Sequence, residues 1–140
     1  MDGKQTQMLM ESLKNCKEID QVLEKTDGFA AQPLAEALEE LLAKKRLTRA
    51  QVIRDAMLNE IYGHQIFHGV RTPSRDKLIA IGFGMKLTFE EMDELLKKQG
   101  YARLYARNER DAIIIYGLLH DVPLMDVNTT LYEKNMETLG

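Results

Sequence analysis

A chain of 140 residues, 44% hydrophobic and 29% charged, can build one compact domain with a proper core; it is too short for two large ones and too apolar for wholesale disorder. Its single cysteine, Cys16, cannot close an intramolecular disulfide, no apolar run approaches the roughly 20 residues of a membrane span, and the opening MDGKQTQ lacks the apolar stretch of a secretory signal, so a cytoplasmic chain with no membrane partner is expected. The net charge of −3 would argue against a polyanionic partner if it were spread evenly, but between Lys44 and Lys77 eight basic residues (Lys44, Lys45, Arg46, Arg49, Arg54, Arg71, Arg75, Lys77) stand against Asp55, Glu60 and Asp76, which makes that window +5 and the remainder −8.

In chain order, residues 4–25 place Met8, Leu9, Leu13, Cys16, Ile19, Val22 and Leu23 at intervals near three and four, which predicts one or two amphipathic helices ended by Asp27 and Gly28. This N-terminal arm, residues 1–30, either packs back on the domain or pairs with a second subunit. Pro33 opens the next helix, LAEALEELLAKKRL, with Leu34, Leu38, Leu41 and Leu42 as its apolar stripe and its basic residues at the C-terminal end, where the helix dipole favours them.

Thr48 and Gln51 form a capping box that starts a helix carrying Val52, Ile53 and Ala56 on one side. After a break at Leu58 and Asn59, Asn59 caps a second short helix. That helix buries Ile66 and Phe67, turns Glu60, His64, Gln65 and His68 elsewhere, and is closed by Gly69 in a left-handed conformation. A helix clamped along one side and polar along the other is the geometry that enters a DNA major groove.

Further on, Pro73 fixes a bend, Ser74 caps, and Leu78, Ile81, Phe83 and Met85 supply buried contacts. Thr88 with Glu91 makes a second capping box, Leu87 staples onto Met92, and Gly100 ends that helix. The acids Glu90, Glu91, Asp93 and Glu94 suit its first turns and read as structural. In the linker YARLYARNER, Tyr101 and Tyr105 are expected to pack against the neighbouring hairpins, with a basic-aromatic nucleic-acid contact through Arg103 and Arg107 as the alternative.

The last third repeats the part before it. An offset of 35 residues sets Arg75 on Arg110, Gly82 on Gly117 and Leu96 on Leu131, pairing RDKLIAIGFGMKLTFEEMDELL with RDAIIIYGLLHDVPLMDVNTTL. Two helical hairpins stacked side by side on a shared core are expected, the alternative being chance likeness between short amphipathic helices.

Chemistry finds no foothold. His64 and His68 lie one helical turn apart, yet the zinc-protease glutamate and a third ligand are missing; His120 reads as a helix-end cap, IGFGM follows no strand, and no nucleophile sits beside a base. No catalytic residue, metal or cofactor is expected.

Residues from about Leu34 to Leu96, through TRAQV…IFHGVRTP and then KLIAIGFGMKLTFEEM, resemble the phage-repressor-type (Cro-like, XRE-like) helix-turn-helix family, over a little under half of the chain. The N-terminal arm and the C-terminal hairpin resemble extensions found in a bacterial subgroup of such regulators. The resemblance implies an all-α, lambda-repressor-like domain of about five helices over residues 31–100, with the arm before it and the hairpin, residues 101–140, packed on it.

It also implies a homodimer on two-fold-related double-stranded DNA. By position, Arg49 would touch phosphate; Asn59, Glu60, Ile61 and Gln65 would face the groove; Tyr62, His64 and His68 would flank them; Arg71 and Arg75 would follow the adjacent strand. Gln65 can bond adenine bidentately, Glu60 can accept from cytosine N4, and Ile61 can touch a thymine methyl. The chain departs from the family at Met57 (a turn glycine), Ile53 (a small alanine), Gly63 (a buried aliphatic) and Phe67 (a glutamate). Met57 is expected to cost roughly 1 kcal/mol or force a different turn. Ile53 is expected to push the helices apart, with Gly63 making room and Tyr62 or Phe67 filling it. A DNA-binding transcriptional regulator is the expected function; the alternative is a protein-interaction adaptor on the same scaffold, with weak or lost DNA binding.

Overall fold

The computed structural model describes residues 32–140, so the arm expected over residues 1–30 lies outside the described part. Among the described residues there are seven α-helices and no strand: α1 (Leu34–Lys45), α2 (Arg49–Asp55), α3 (Glu60–Phe67), α4 (Arg75–Gly84), α5 (Phe89–Lys98), α6 (Glu109–Leu119) and α7 (Leu124–Glu133). The described part is all-α, residues 33–140 form one compact unit, and no described helix is long and apolar enough to cross a membrane.

Five of the seven described helices start where a side chain satisfies a first free amide; α1 and α7 start after Pro33 and Pro123, without a side-chain cap. Thr48 and Gln51 exchange both hydrogen bonds of a capping box (Thr48 N donates to Gln51 Oε1 at 2.9 Å, Gln51 N to Thr48 Oγ1 at 3.2 Å), and Thr88 with Glu91 repeats it at α5. Asn59 accepts from Tyr62 N, Ser74 from Lys77 N and Asn108 from Asp111 N.

Each helix also stops in one way. A residue in the left-handed region follows it (Arg46, Met57, Gly69, Lys86, Gly100, Asp121, Asn135), and the next amide reaches back across the last turn, as Leu58 N does to Ile53 O at 3.1 Å and Leu87 N to Gly82 O at 3.0 Å. Met57 adopts the positive φ, 57°, that a glycine would adopt more cheaply, and the tight turn between α2 and α3 is kept.

The core runs through the whole unit, from Leu38 and Leu42 through Val52, Ile66, Phe67, Leu78 and Ile81 to Leu96, Ile114, Val127 and Leu131. Close approach is bought with small residues. A methyl on Gly63 would lie 2.7 Å from Cγ1 and 2.8 Å from Cγ2 of Ile53, so Ile53 itself fills the space over Gly63. The expectations that Ile53 separates the helices and that Tyr62 or Phe67 fills the gap are thereby corrected: the large and small residues have exchanged places across the α2–α3 contact.

The 35-residue repeat is built into the structure. Gly82 faces Met92 Sδ, and its equivalent Gly117 faces Val127, the equivalent of Met92. Arg75 forms a bidentate pair with Asp111 (3.1 and 3.0 Å), while Arg110 forms one with Asp76 (2.9 and 3.1 Å), so each hairpin's arginine is held by the other hairpin's aspartate. Asp93 accepts from Leu104 N as Asn128 accepts from Leu139 N, again 35 residues on. In the linker, Tyr101 packs inward and donates to Pro73 O at 2.6 Å, with burial raising its hydroxyl pKa. Tyr105 does not: it is exposed, contrary to expectation, because the chain there is held through its backbone amide on Asp111.

Candidate nucleic-acid interface

The α3 helix is anchored by Tyr62, Gly63, Ile66 and Phe67, with Ile66 and Phe67 almost wholly buried. The 3.6-residue period then sets Ile61, His64, Gln65 and His68 on one stripe at i, i+3, i+4 and i+7, with Glu60 beside it. Ile61 is 71% exposed, as Val70 is, and both are among several large apolar side chains that the described unit leaves in solvent. Glu60, His68 and Arg71 are exposed, and His64 and Gln65 are half-buried. Asn59 caps the helix, and Tyr62 turns towards α4, where Lys77 Nζ stands 5.3 Å from its ring centre.

Arg49, the first residue of α2, reaches the far end of this stripe: its Nη1 lies 3.3 Å from His68 Nε2. The same guanidinium is gripped by Glu39 of α1, with Nε donating to Oε1 at 2.6 Å. Arg49, the α3 stripe and Arg71 are therefore the candidates available at this end of the molecule.

Arg75 is not among them. Besides its pair with Asp111 it donates to the carbonyls of Ala102 and Arg103, so it faces the C-terminal hairpin rather than an adjacent DNA strand. The +5 window is likewise weaker in space than along the chain. Lys44 and Lys45 both pair with Glu91 (2.8 and 2.7 Å), Arg54 with Asp55, Arg49 with Glu39 and Arg75 with Asp111. Burial pushes the Glu91 carboxyl up, but the two lysines and the Thr88 amide outweigh it and pull the pKa down to about 2.

Glu39, Glu91 and Asp111 lie outside the counted window, which is why sequence counting missed them; only the Arg-Asp pairs of the 35-residue repeat offered a signal, for Asp111. Among the described residues no three His, Cys, Asp or Glu side chains converge as metal ligands. Compared with protein-family models, curated proteins and solved structures, the chain matches none.

Proposed function

We propose that this protein is a cytoplasmic DNA-binding transcriptional regulator of the helix-turn-helix kind, with α3 as the helix that enters the major groove. The observation that carries the reading is the stripe Ile61, His64, Gln65, His68, exposed at both ends and half-buried between them, on a short helix fixed from behind by the Ile53–Gly63 contact, with Arg49 at its end. In this reading Glu60, Ile61 and Gln65 read base edges, Asn59, Tyr62, His64 and His68 flank them, and Arg49 and Arg71 contact phosphates.

The neutralised cations favour the adaptor as second reading, since phosphate must displace Glu39 from Arg49. Selection of duplexes from a random pool at near-physiological salt, followed by titration across ionic strength, separates the two. A DNA binder loses affinity steeply with salt, Gln65→Ala relaxes base preference, and Arg49→Ala weakens binding to every sequence. Equal binding of both variants to selected and random duplex would remove the DNA reading.

A further inference from the structure

The two hairpins carry the same face, and only one of them is covered. On α4 the stripe Leu78, Ile81 and Met85 is wholly buried, and α2 lies against it with Val52 O and Ala56 N close upon Gly84. The end of α1 sets Lys44 and Lys45 on Glu91 of α5, at 2.8 and 2.7 Å. Thirty-five residues on, the stripe is Ile113, Tyr116 and His120 of α6, the place of Gly84 holds Leu119, and that of Glu91 holds Asp126 of α7. Ile113 is half-buried, Tyr116 and Leu119 are 61% and 58% exposed, and the Tyr116 ring lies 4.2 Å from that of His120 rather than under another helix. A groove of about 380 Å³ runs beside them between α6 and α7, and no described element covers it. The first hairpin thus shows what the second lacks: a helix over the stripe, and a pair of cations on the acid at its edge.

We propose that the α6–α7 groove docks an amphipathic helix of another protein, with its apolar side over Ile113, Tyr116 and Leu119 and a Lys/Arg pair closing on Asp126. The repeat supplies the chemistry of this occupant, because the chain's own α1 and α2 already cover the equivalent face of the first hairpin in that way. Ile113, Tyr116 and Leu119 recur every three residues along α6, so a helix laid along it meets all three. Leu119 in the place of Gly84 forbids the backbone contact that α2 makes, so the occupant sits at the ordinary interhelical spacing of about 8–10 Å.

Charge decides between occupants. Glu109 at the start of α6, Asp126 in the first turn of α7 and Lys134 just past its end all line the groove, and none of the three charged groups has a partner among the described residues. Two acids against one base leave the groove negative. Laying this face on the same face of a second copy would set like excess against like, whereas a basic helix meets opposite charge at both acids. An acidic or neutral helix would cover Glu109 and Asp126 without answering either. Asp126 stands where Glu91 stands, one turn into its helix, so a basic pair has a place there as Lys44 and Lys45 have on Glu91. This inference stands on the repeat and does not rest on the DNA reading.

Selection of a displayed library of helical peptides, varied on every face, against the full chain at near-physiological salt is the test, with the enriched peptide then synthesised and titrated by calorimetry. The enriched peptides should carry an apolar face and an adjoining Lys/Arg pair. Asp126→Lys and Leu119→Asp, both at exposed positions, should each weaken binding roughly ten-fold or more, and a peptide with its basic pair changed to Glu should prefer the Asp126→Lys chain to the wild type. Far-UV circular dichroism checks that each variant stays folded. Nitration of Tyr116 by tetranitromethane, mapped by mass spectrometry, locates the contact: Tyr116 should react in the chain alone and be protected by the peptide. No enrichment, peptides without a basic pair, or binding indifferent to either variant would overturn the proposal. So would a Tyr116 already shielded in the chain alone, whether at every concentration, as cover by residues 1–31 requires, or increasingly with concentration, as cover by a second copy requires.

Discussion

The exchange of large for small between Ile53 and Gly63 makes a sign-reversing prediction. In an ordinary helix Gly→Ala gains about 1 kcal/mol. At Gly63 the new methyl would meet Ile53 Cγ1 at 2.7 Å, Cγ2 at 2.8 Å and Cδ1 at 3.0 Å, all on a branched side chain that is 3% exposed and has nowhere to go. Overpacking of that kind costs about 1–3 kcal/mol, so after the propensity gain Gly63→Ala should destabilise by up to about 2 kcal/mol net. Ile53→Ala alone should cost about 2–5 kcal/mol through the cavity it leaves. It removes all three offending carbons, so in that background Gly63→Ala should stabilise by about 1 kcal/mol or slightly more, as propensity and partial cavity filling act together. The coupling energy is then the overpacking cost itself, about 1–3 kcal/mol. Urea denaturation of the four proteins followed by circular dichroism measures it. If Gly63→Ala is equally harmful with and without Ile53, the contact does not set the α2–α3 spacing.

Two further outcomes follow from the ion pairs. Glu91 has its folded pKa depressed from 4.5 to about 2, so its stabilisation is present above 4.5 and is lost as pH falls through that range towards 2. The unscreened figure would be about 3 kcal/mol. Lys44 is 65% exposed, so about half of that is expected. Glu91→Gln, which preserves the cap acceptor as Gln51 does at α2, should lower the urea midpoint at pH 7 and scarcely change it near pH 2. On the DNA reading, Glu39→Gln frees Arg49 and should tighten binding to any duplex while steepening the slope of log affinity against log salt by up to about 0.9; an unchanged slope would separate Arg49 from the phosphates.

Local chemistry made much of the fold legible. Thr48-x-x-Gln51 and Thr88-x-x-Glu91 announce helix starts because such pairs satisfy the first amides reciprocally, and both boxes form. The repeat was readable because Gly82 and Gly117 each make room for the facing helix, a demand that restricts the residue type strongly. Spacing alone turned Glu60, His64, Gln65 and His68 away from the buried face of α3, while Ile61 entered only through the resemblance. What stayed hidden depends on which strangers the fold brings together. Arg75 looked like one more cation of a basic stretch until Asp111, 36 residues away, arrived beside it, and Arg49 looked unencumbered until α1 delivered Glu39 across a turn. Charge summed along a chain ignores partners that come from outside the window. Ile53 over Gly63 was half legible: each substitution was visible as an oddity, but that one answers the other is a fact of interhelical distance.

The crossed arginine-aspartate clasps have a bearing on how the molecule could be shortened. A chain cut after Gly100 would keep Arg75 and Asp76 while discarding Asp111 and Arg110, leaving a guanidinium and a carboxylate that had been held bidentately with nothing to hold them. It would also uncover the sides of α4 and α5 against which α7 and α6 rest. The last forty residues therefore belong to the same compact unit as α4 and α5, and no seam runs through the described residues at Gly100.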